Sequence, residues 1–214
     1  MNVYPMEWPK TEAALRSQMT NIASRAPIIV MLGGDHLITY PLVQGFRDGV
    51  VARGGKKIGY IQFSSALDLG STDPLWGKVW RGVTARQILD TETVDPRNMV
   101  WVGVNGYQPQ REVEFARETG LKVFSLDDVR RDGIERVTEE ALRIAGDGCD
   151  TVYASVDYDV VDGGNTPGAA ATHFQGITNA ELLRAVDMLG RGPVGAMDLV
   201  GANPLLELLS ETAE

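Results

Sequence analysis

The sequence predicts an α/β fold, a three-layer sandwich with a mostly parallel sheet, and three observations predict it. Six short apolar runs recur along 214 residues, several of them apolar on both faces, as strands covered by helices on both sides are. Helical patterns lie between the runs, most of them ending near a glycine. No linker or internal repeat breaks the alternation, so residues 1–214 are expected to form one domain.

A leading helix is expected around residues 11–23. The apolar run 27–32 is the first strand, closed by Gly33 and Gly34, and a helical pattern follows over 40–53, ending before Gly54. Residues 57–63 form the second strand and 84–89 a short helix. The strand at 99–104 precedes a helix at 111–119, which stops at Gly120. A brief strand at 122–125 is followed by a helix at 136–145, then a strand at 151–156. A helix at 179–189 leads into the last strand at 194–200. Ligands of open α/β sheets bind at the carboxyl ends of the strands. Residues 33–36, 64–68, 157–162 and 199–203 all fall there, so four separate segments reach one rim.

Composition narrows the partners. With 20 basic against 29 acidic residues and a net charge of -9, the chain has no basic run, which argues against nucleic acid or an acidic membrane. No apolar stretch approaches the span of a bilayer, and residues 1–9 lack a signal-peptide layout, so a cytoplasmic location is expected. Cys149 is the single cysteine and reads as a small residue before a strand.

The chemistry concentrates in Ser155-Val156-Asp157-Tyr158-Asp159-Val160-Val161-Asp162 and in Gly33-Gly34-Asp35-His36, which holds one of two histidines. Residues two apart on a strand share a face, so Asp157 and Asp159 are expected to converge on one cation. Two close carboxylates in a dry site need a metal ion, a buried Lys or Arg, or a shared proton.

These segments carry a resemblance to the arginase, agmatinase and formimidoylglutamase family, the ureohydrolases, across most of the chain in collinear order. Gly33 to His36 resembles the family's G-G-D-H, whose His ligates metal. Residues 63–68 lie where the family has F-D-A-H-x-D, with the final carboxylate kept as Asp68. The segment 155–162, followed by Pro167-Gly168 and Gly176-Ile177-Thr178, resembles S-x-D-x-D-x-x-D-P and its glycine-rich tail. Residues 198–204 resemble D-x-x-E-x-N-P. The resemblance implies an arginase-like fold and makes His36, Asp68, Asp157 and Asp159 the candidate metal ligands.

Departures from the family pattern bear on function. The family uses two adjacent manganese ions, and here Ser64 stands for its bridging Asp, Ala66 for an imidazole, Arg81 for a proton-shuttling His and Gly201 for the substrate-facing Glu. The expectation is therefore one manganese or other divalent transition-metal ion, or none, with the second ion lost. Arginine does not shuttle protons near neutrality, but Arg81 can act as a fixed cation against the carboxylates. Ser64, Ser65, Ala66, Leu67, Ala169, Ala170, Ala171 and Gly201 together exchange charge for small neutral groups, with Trp76 and Trp80 nearby. Such a pocket suits a small molecule other than free arginine.

Plainer readings stand beside these. Asp68 also suits a cap, Asp157 and Asp159 a solvated strand end or an arginine pair, and Asp162 a turn before Gly163. His173 suits an exposed loop, or a replacement metal ligand or acid–base group. Asp159 and His173 are the catalytic candidates of an altered metal-dependent hydrolase of carbon–nitrogen bonds. The alternatives are a catalytically silent binding or scaffolding subunit and, third, a working arginase or agmatinase. In the family more chain precedes G-G-D-H, so a sheet lacking early strands is expected, with an exposed edge covered by the leading helix, by a second copy or by a companion subunit.

Overall fold

The computed structural model describes Tyr4 and residues 7–75, 77–166, 169 and 173–202. In chain order its elements are α1 (Trp8–Ala23), β1 (Ile29–Leu32), α2 (Thr39–Ala52), β2 (Ile58–Phe63), α3 (Thr84–Asp90), β3 (Met99–Val104), α4 (Gln110–Thr119), β4 (Lys122–Ser125), α5 (Leu126–Asp132), α6 (Ile134–Gly146), β5 (Thr151–Asp157), α7 (Asn179–Arg191) and β6 (Val194–Val200). The strands pair in the order β1-β6-β5-β2-β3-β4, and every pairing is parallel.

All six expected strands are present, and one helix was not expected. α5 starts directly after β4, where the Ser125 hydroxyl caps the Asp128 amide and the Asp128 carboxylate returns to the Ser125 amide. Its seven residues bury only Leu126 and Val129, too short a stretch for helical periodicity to show.

Two helical layers sandwich the sheet. On one face α1 to α4 enclose Met19, Phe46, Tyr60, Trp101 and Tyr153; on the other, α5 to α7 enclose Ile61, Phe63, Val102, Ala154 and Val156. The two-residue period of a strand sorts these sets, so β2 sends Tyr60 and Gln62 to the first layer and Ile61 and Phe63 to the second. α6 packs so close to β2 that a Cβ on Gly59 would lie 1.9 Å from the Ala145 carbonyl oxygen, which leaves room only for glycine.

The register aligns three polar residues inside this apolar sheet. Gln62 pairs with Ser155, and Ser155 with Asp198, so a lateral row crosses β2, β5 and β6 beneath the first helical layer. All three are fully buried.

β2 and β5 are neighbours, yet the chain proceeds from β2 to β3 on one side and from β5 to β6 on the other. Their carboxyl ends therefore open a crevice at the switch point. At the other end of the order, β1 pairs only with β6. Ile29 packs inward, but Ile28, Val30 and Leu32 are 67, 60 and 82% exposed. The leading helix does not cover them: α1 lies along α2, where a Cβ on Gly45 would meet the Arg16 carbonyl oxygen at 2.4 Å. Among the described residues no helix is long and apolar enough to cross a membrane.

Candidate functional site

Three segments meet in the crevice. After β1 the chain turns sharply, and Asp35 accepts the Leu37 amide at 2.8 Å, which starts a 3-10 turn over His36–Ile38. That turn drives the His36 ring into the interior, where 1% of the residue is exposed. Asp68 lies in the loop after β2 with a left-handed backbone, φ 53°, and Asp157 is the last residue of β5. His36 Nδ1 lies 3.2 Å from Asp68 Oδ2 and 3.1 Å from Asp157 Oδ2. It makes a well-directed hydrogen bond to neither.

Asp68 is held on all sides. Gln62 Nε2 donates to its Oδ2 at 2.7 Å, while the amides on either side of it, Leu67 and Leu69, donate to Gln108 Oε1 and Glu112 Oε2. Trp101 Nε1 donates to the Leu67 carbonyl at 3.1 Å, and Leu67 itself points into the core. The far side of the imidazole is equally fixed, with Nε2 3.3 Å from Ser155 Oγ.

Asp159 does not stand beside Asp157 on the strand as its spacing suggested. β5 ends at Asp157 because the Asp157 Oδ1 accepts the Asp159 amide at 3.1 Å and opens a 3-10 turn over Tyr158–Val160. Period two no longer applies, and the Asp159 carboxylate swings to the residues after β2. There its Oδ1 accepts the Ser65 amide at 3.0 Å and the Ser64 hydroxyl at 3.3 Å. Asp157 and Asp159 thus share a pocket without sharing a partner.

That pocket, about 290 Å³, is lined by the buried Asp68, Asp157 and Asp159, by the half-buried Ala66, Trp80, Arg81, Glu112 and His173, and by the exposed Tyr107. Burial alone would lower the proton affinity of His36, but the Asp157 and Asp68 carboxylates more than reverse this, and the imidazole sits well above its ordinary 6.5. Burial raises Asp157 while His36 lowers it further, so it titrates below the usual carboxylate range, helped by the more distant Arg81. Asp159 is pushed up to about 7, first by burial and then by the Asp157 and Asp68 charges. Arg81 thus faces the acidic cluster by its field.

The remaining candidates divide. Asp162 takes the turn role, accepting the Gly164 amide at 3.0 Å. Trp80 lines the pocket and packs on Gly82, where a Cβ would lie 2.2 Å from its ring. Trp76, Pro167, Gly168, Ala170, Ala171, Asn203 and Pro204 lie outside the described residues. Gly201 has φ 75°, and a Cβ there would lie 2.0 Å from Asp157 Oδ1. Sequence reasoning passed over Gln62, and it met Ser155 and Asp198 only as letters of motifs. A lone polar residue inside an apolar strand run was the available signal.

Among the described residues no three His, Cys, Asp or Glu side chains are arranged to hold a metal ion as they stand, so the expected four-residue ligand set is not preassembled. Chemically the two halves differ. The buried Nδ1 of His36, without a well-directed hydrogen bond and flanked by two carboxylate oxygens, fits one divalent transition-metal ion by the chemistry of its donors, though not by their present arrangement. A second ion does not fit: Ser64 and Ala66 supply no charge or imidazole, and Asp159 Oδ1 is already engaged by Ser64 and Ser65.

An all-parallel six-stranded sheet between two helical layers, with an imidazole–carboxylate cluster at its switch point, is the arginase fold. The chain belongs to the arginase family, whose sequence model matches residues 1–214. It is 30% identical over 208 residues to a formimidoylglutamase from Halalkalibacterium halodurans, covering 95% of this chain and 62% of that protein. The crystal structure of formimidoylglutamase from Bacillus subtilis superposes with a TM-score of 0.86 at 24% identity, covering 96% of this chain and 63% of the other. A Trypanosoma cruzi formiminoglutamase solved with Mn2+ superposes at 0.85 with 21% identity, over 96% and 67%. The chain spans somewhat less than two thirds of the length of the curated relative it matches at 30% identity.

Proposed function

We propose that this chain is an altered ureohydrolase that cleaves a carbon–nitrogen bond of the amidine or guanidine type with at most one metal ion. The observation that carries the reading is His36 Nδ1, buried, without a directed hydrogen bond and set between Asp68 and Asp157. His36, Asp68 and Asp157 would hold the ion, and the Mn2+ of the T. cruzi protein supports manganese as its identity. When bound, a divalent ion supplies Lewis acidity and acidifies water.

The chain's own residues do the rest. Asp159, buried in the pocket, takes the proton of an attacking water, a task that suits a carboxyl poised near neutrality. His173, half-buried in the pocket lining, delivers a proton to the leaving nitrogen. Arg81 offsets the acidic charge. Gly201 offers no carboxylate to a guanidinium, so the substrate is a small molecule other than free arginine. We place the protein in the cytoplasm, with no nucleic-acid or membrane partner. The apolar face of Ile28, Val30 and Leu32 supports assembly with a second copy or a companion subunit.

A second reading, a catalytically silent subunit, is favoured by one feature. Without metal, a protonated His36 between two carboxylates already balances the site. Metal analysis of protein purified without chelator separates the two. About one equivalent of metal, lost in His36→Ala, supports the enzyme. No binding under Mn2+, Fe2+, Co2+ or Zn2+ loading leaves the silent subunit, and urea release from arginine or agmatine with added Mn2+ would overturn both.

A further inference from the structure

The row formed by Gln62, Ser155 and Asp198 is costly. Three buried polar side chains stand where apolar ones would pack, so each needs partners that recover its lost hydration. The partners define a one-way pattern. The Asp198 carboxylate accepts three hydroxyls: Thr39 at 2.8 Å, Tyr153 at 2.6 Å and Ser155 at 2.7 Å. Ser155 has one hydroxyl proton, and Asp198 takes it. Ser155 therefore meets His36 Nε2 with a lone pair, at 3.3 Å, which requires the ring proton to be on Nε2. The lone pair of a neutral His36 then lies on Nδ1, the atom facing Asp68 and Asp157.

The Gln62 end works the same way. Tyr60 donates its hydroxyl to Gln62 Oε1 at 2.8 Å, which turns the amide nitrogen toward Asp68 Oδ2 at 2.7 Å. This is the same oxygen that lies 3.2 Å from His36 Nδ1. Asp68 has a left-handed backbone, which residues other than glycine adopt uncommonly although aspartate tolerates it better than most, and its surroundings hold it there.

We infer that Gln62, Ser155 and Asp198 are positioning residues, a polar floor that fixes the His36 tautomer from below and the Asp68 carboxylate from the side. The inference rests on the one-ion reading for its purpose but not for its geometry. The floor touches no substrate; it presents one nitrogen lone pair and one carboxylate oxygen toward the same point. Outer partners of this kind, when removed, typically weaken metal binding by about 10- to 100-fold.

The test uses Gln62→Met with two readings on the whole chain: Mn2+ titration, and ring ¹⁵N NMR of His36 in the metal-free protein. Only two histidines are present, so a His173→Ala background assigns the His36 signals. The expected result is a folded variant with Mn2+ affinity reduced by about 10-fold or more and displaced His36 ring signals. Tyr60→Phe, which removes only the outer hydroxyl, is expected to move both readings less. Wild-type affinity together with unmoved His36 signals in folded Gln62→Met would overturn the inference. If the parent chain takes up no Mn2+, the one-ion reading fails. The NMR comparison alone then decides the floor: displaced signals support it and unmoved signals overturn it. If Gln62→Met does not fold, Ser155→Ala is subjected to the same two readings. There, at a pH above the raised His36 value so that the ring is neutral, the loss of the hydroxyl acceptor is expected to populate the Nδ1–H tautomer, and an unchanged Nε2–H tautomer would overturn the inference.

Discussion

The two sides of the pocket have met the same electrostatic problem differently. On the β1 side, His36 sits between Asp68 and Asp157, and each of these groups is steadied by buried polar partners. On the β2 side, Ser64 and Ala66 carry no charge, and the one carboxylate that reaches them, Asp159, is met by neutral donors from Ser64 and Ser65. The first side needs a cation or a proton; the second is satisfied by hydrogen bonds. Buried carboxylates are thus accommodated in two ways in one pocket, by an imidazole that can carry charge on one side and by neutral donors on the other.

The sharpest way to break this contrast is to remove the cation. His36→Ala leaves Asp68 and Asp157 buried at 7% and 2% exposure without their shared partner. Breaking one member out of a buried ion pair costs about 3–5 kcal/mol, so urea denaturation of metal-free protein near neutral pH should reveal a loss of that order. Ala66→Ser, on the other side, should change stability by less than about 0.5 kcal/mol. Equal losses at the two positions would remove the distinction between the sides.

Restoring the family's groups sharpens it. Gly201→Glu places a Cβ 2.0 Å from Asp157 Oδ1 on a left-handed backbone. The conformation alone costs about 1–2 kcal/mol, before the clash is relieved. We expect a destabilised protein that still releases no urea from arginine. Ser64→Asp combined with Ala66→His returns a carboxylate and an imidazole to the segment after β2, where the Ser64 hydroxyl already reaches Asp159 Oδ1 at 3.3 Å. Mn2+ titration should then show uptake rising from about one toward about two equivalents. An unchanged stoichiometry would mean that the loop after β2 no longer holds the geometry of a second ion.

Much of this was legible in the sequence, and the exceptions have physical causes. The four central strands, largely buried on both faces, announce themselves as apolar runs, and the edge strands β1 and β4 are legible from their β-rich apolar residues between turn signals although they are partly exposed. α5 was missed because seven residues give helical periodicity too few turns to register. At the site, His36, Asp68 and Asp157 were expected together, and they meet. The shared strand face assigned to Asp157 and Asp159 failed because a carboxylate capping the amide two residues on is a local event that alternation does not encode. Gln62 and Asp198 escaped notice because their meaning lies in register across β2, β5 and β6, which one strand's sequence does not disclose. The backbone at Gly201 was equally hidden, since glycine permits positive φ without requiring it.

Acidity probes the two sides through the protons they hold. Asp159 is held up to about 7, whereas an ordinary aspartate titrates at 3.8. Between those values the unfolded chain has given up this proton and the folded chain retains it, so stability falls as pH rises through the window. His36 acts in the same direction at higher pH: its contribution is complete below 6.5 and fades as pH passes its raised folded value. Asp157, lowered below 3.8, adds stability that is lost only on strong acidification. Metal-free protein should therefore lose stability between about pH 5 and about pH 8 in urea titrations. Asp159→Asn should flatten the lower part of that fall, and a variant that retains the full slope would show that the proton resides elsewhere.

A modest effect separates the two roles inside one motif. Asp35 and His36 are adjacent, yet Asp35 points to solvent and serves only to accept the Leu37 amide at 2.8 Å. Losing a cap of this kind costs about 1 kcal/mol, because the amide must then find water. Asp35→Ala should lower the unfolding free energy in urea titrations by that amount and leave Mn2+ stoichiometry unchanged, since the imidazole is fixed from below by Ser155 rather than from the turn alone. If Mn2+ uptake disappears with the cap, the 3-10 turn rather than the buried floor sets the ring, and the first side of the pocket is as loosely held as the second.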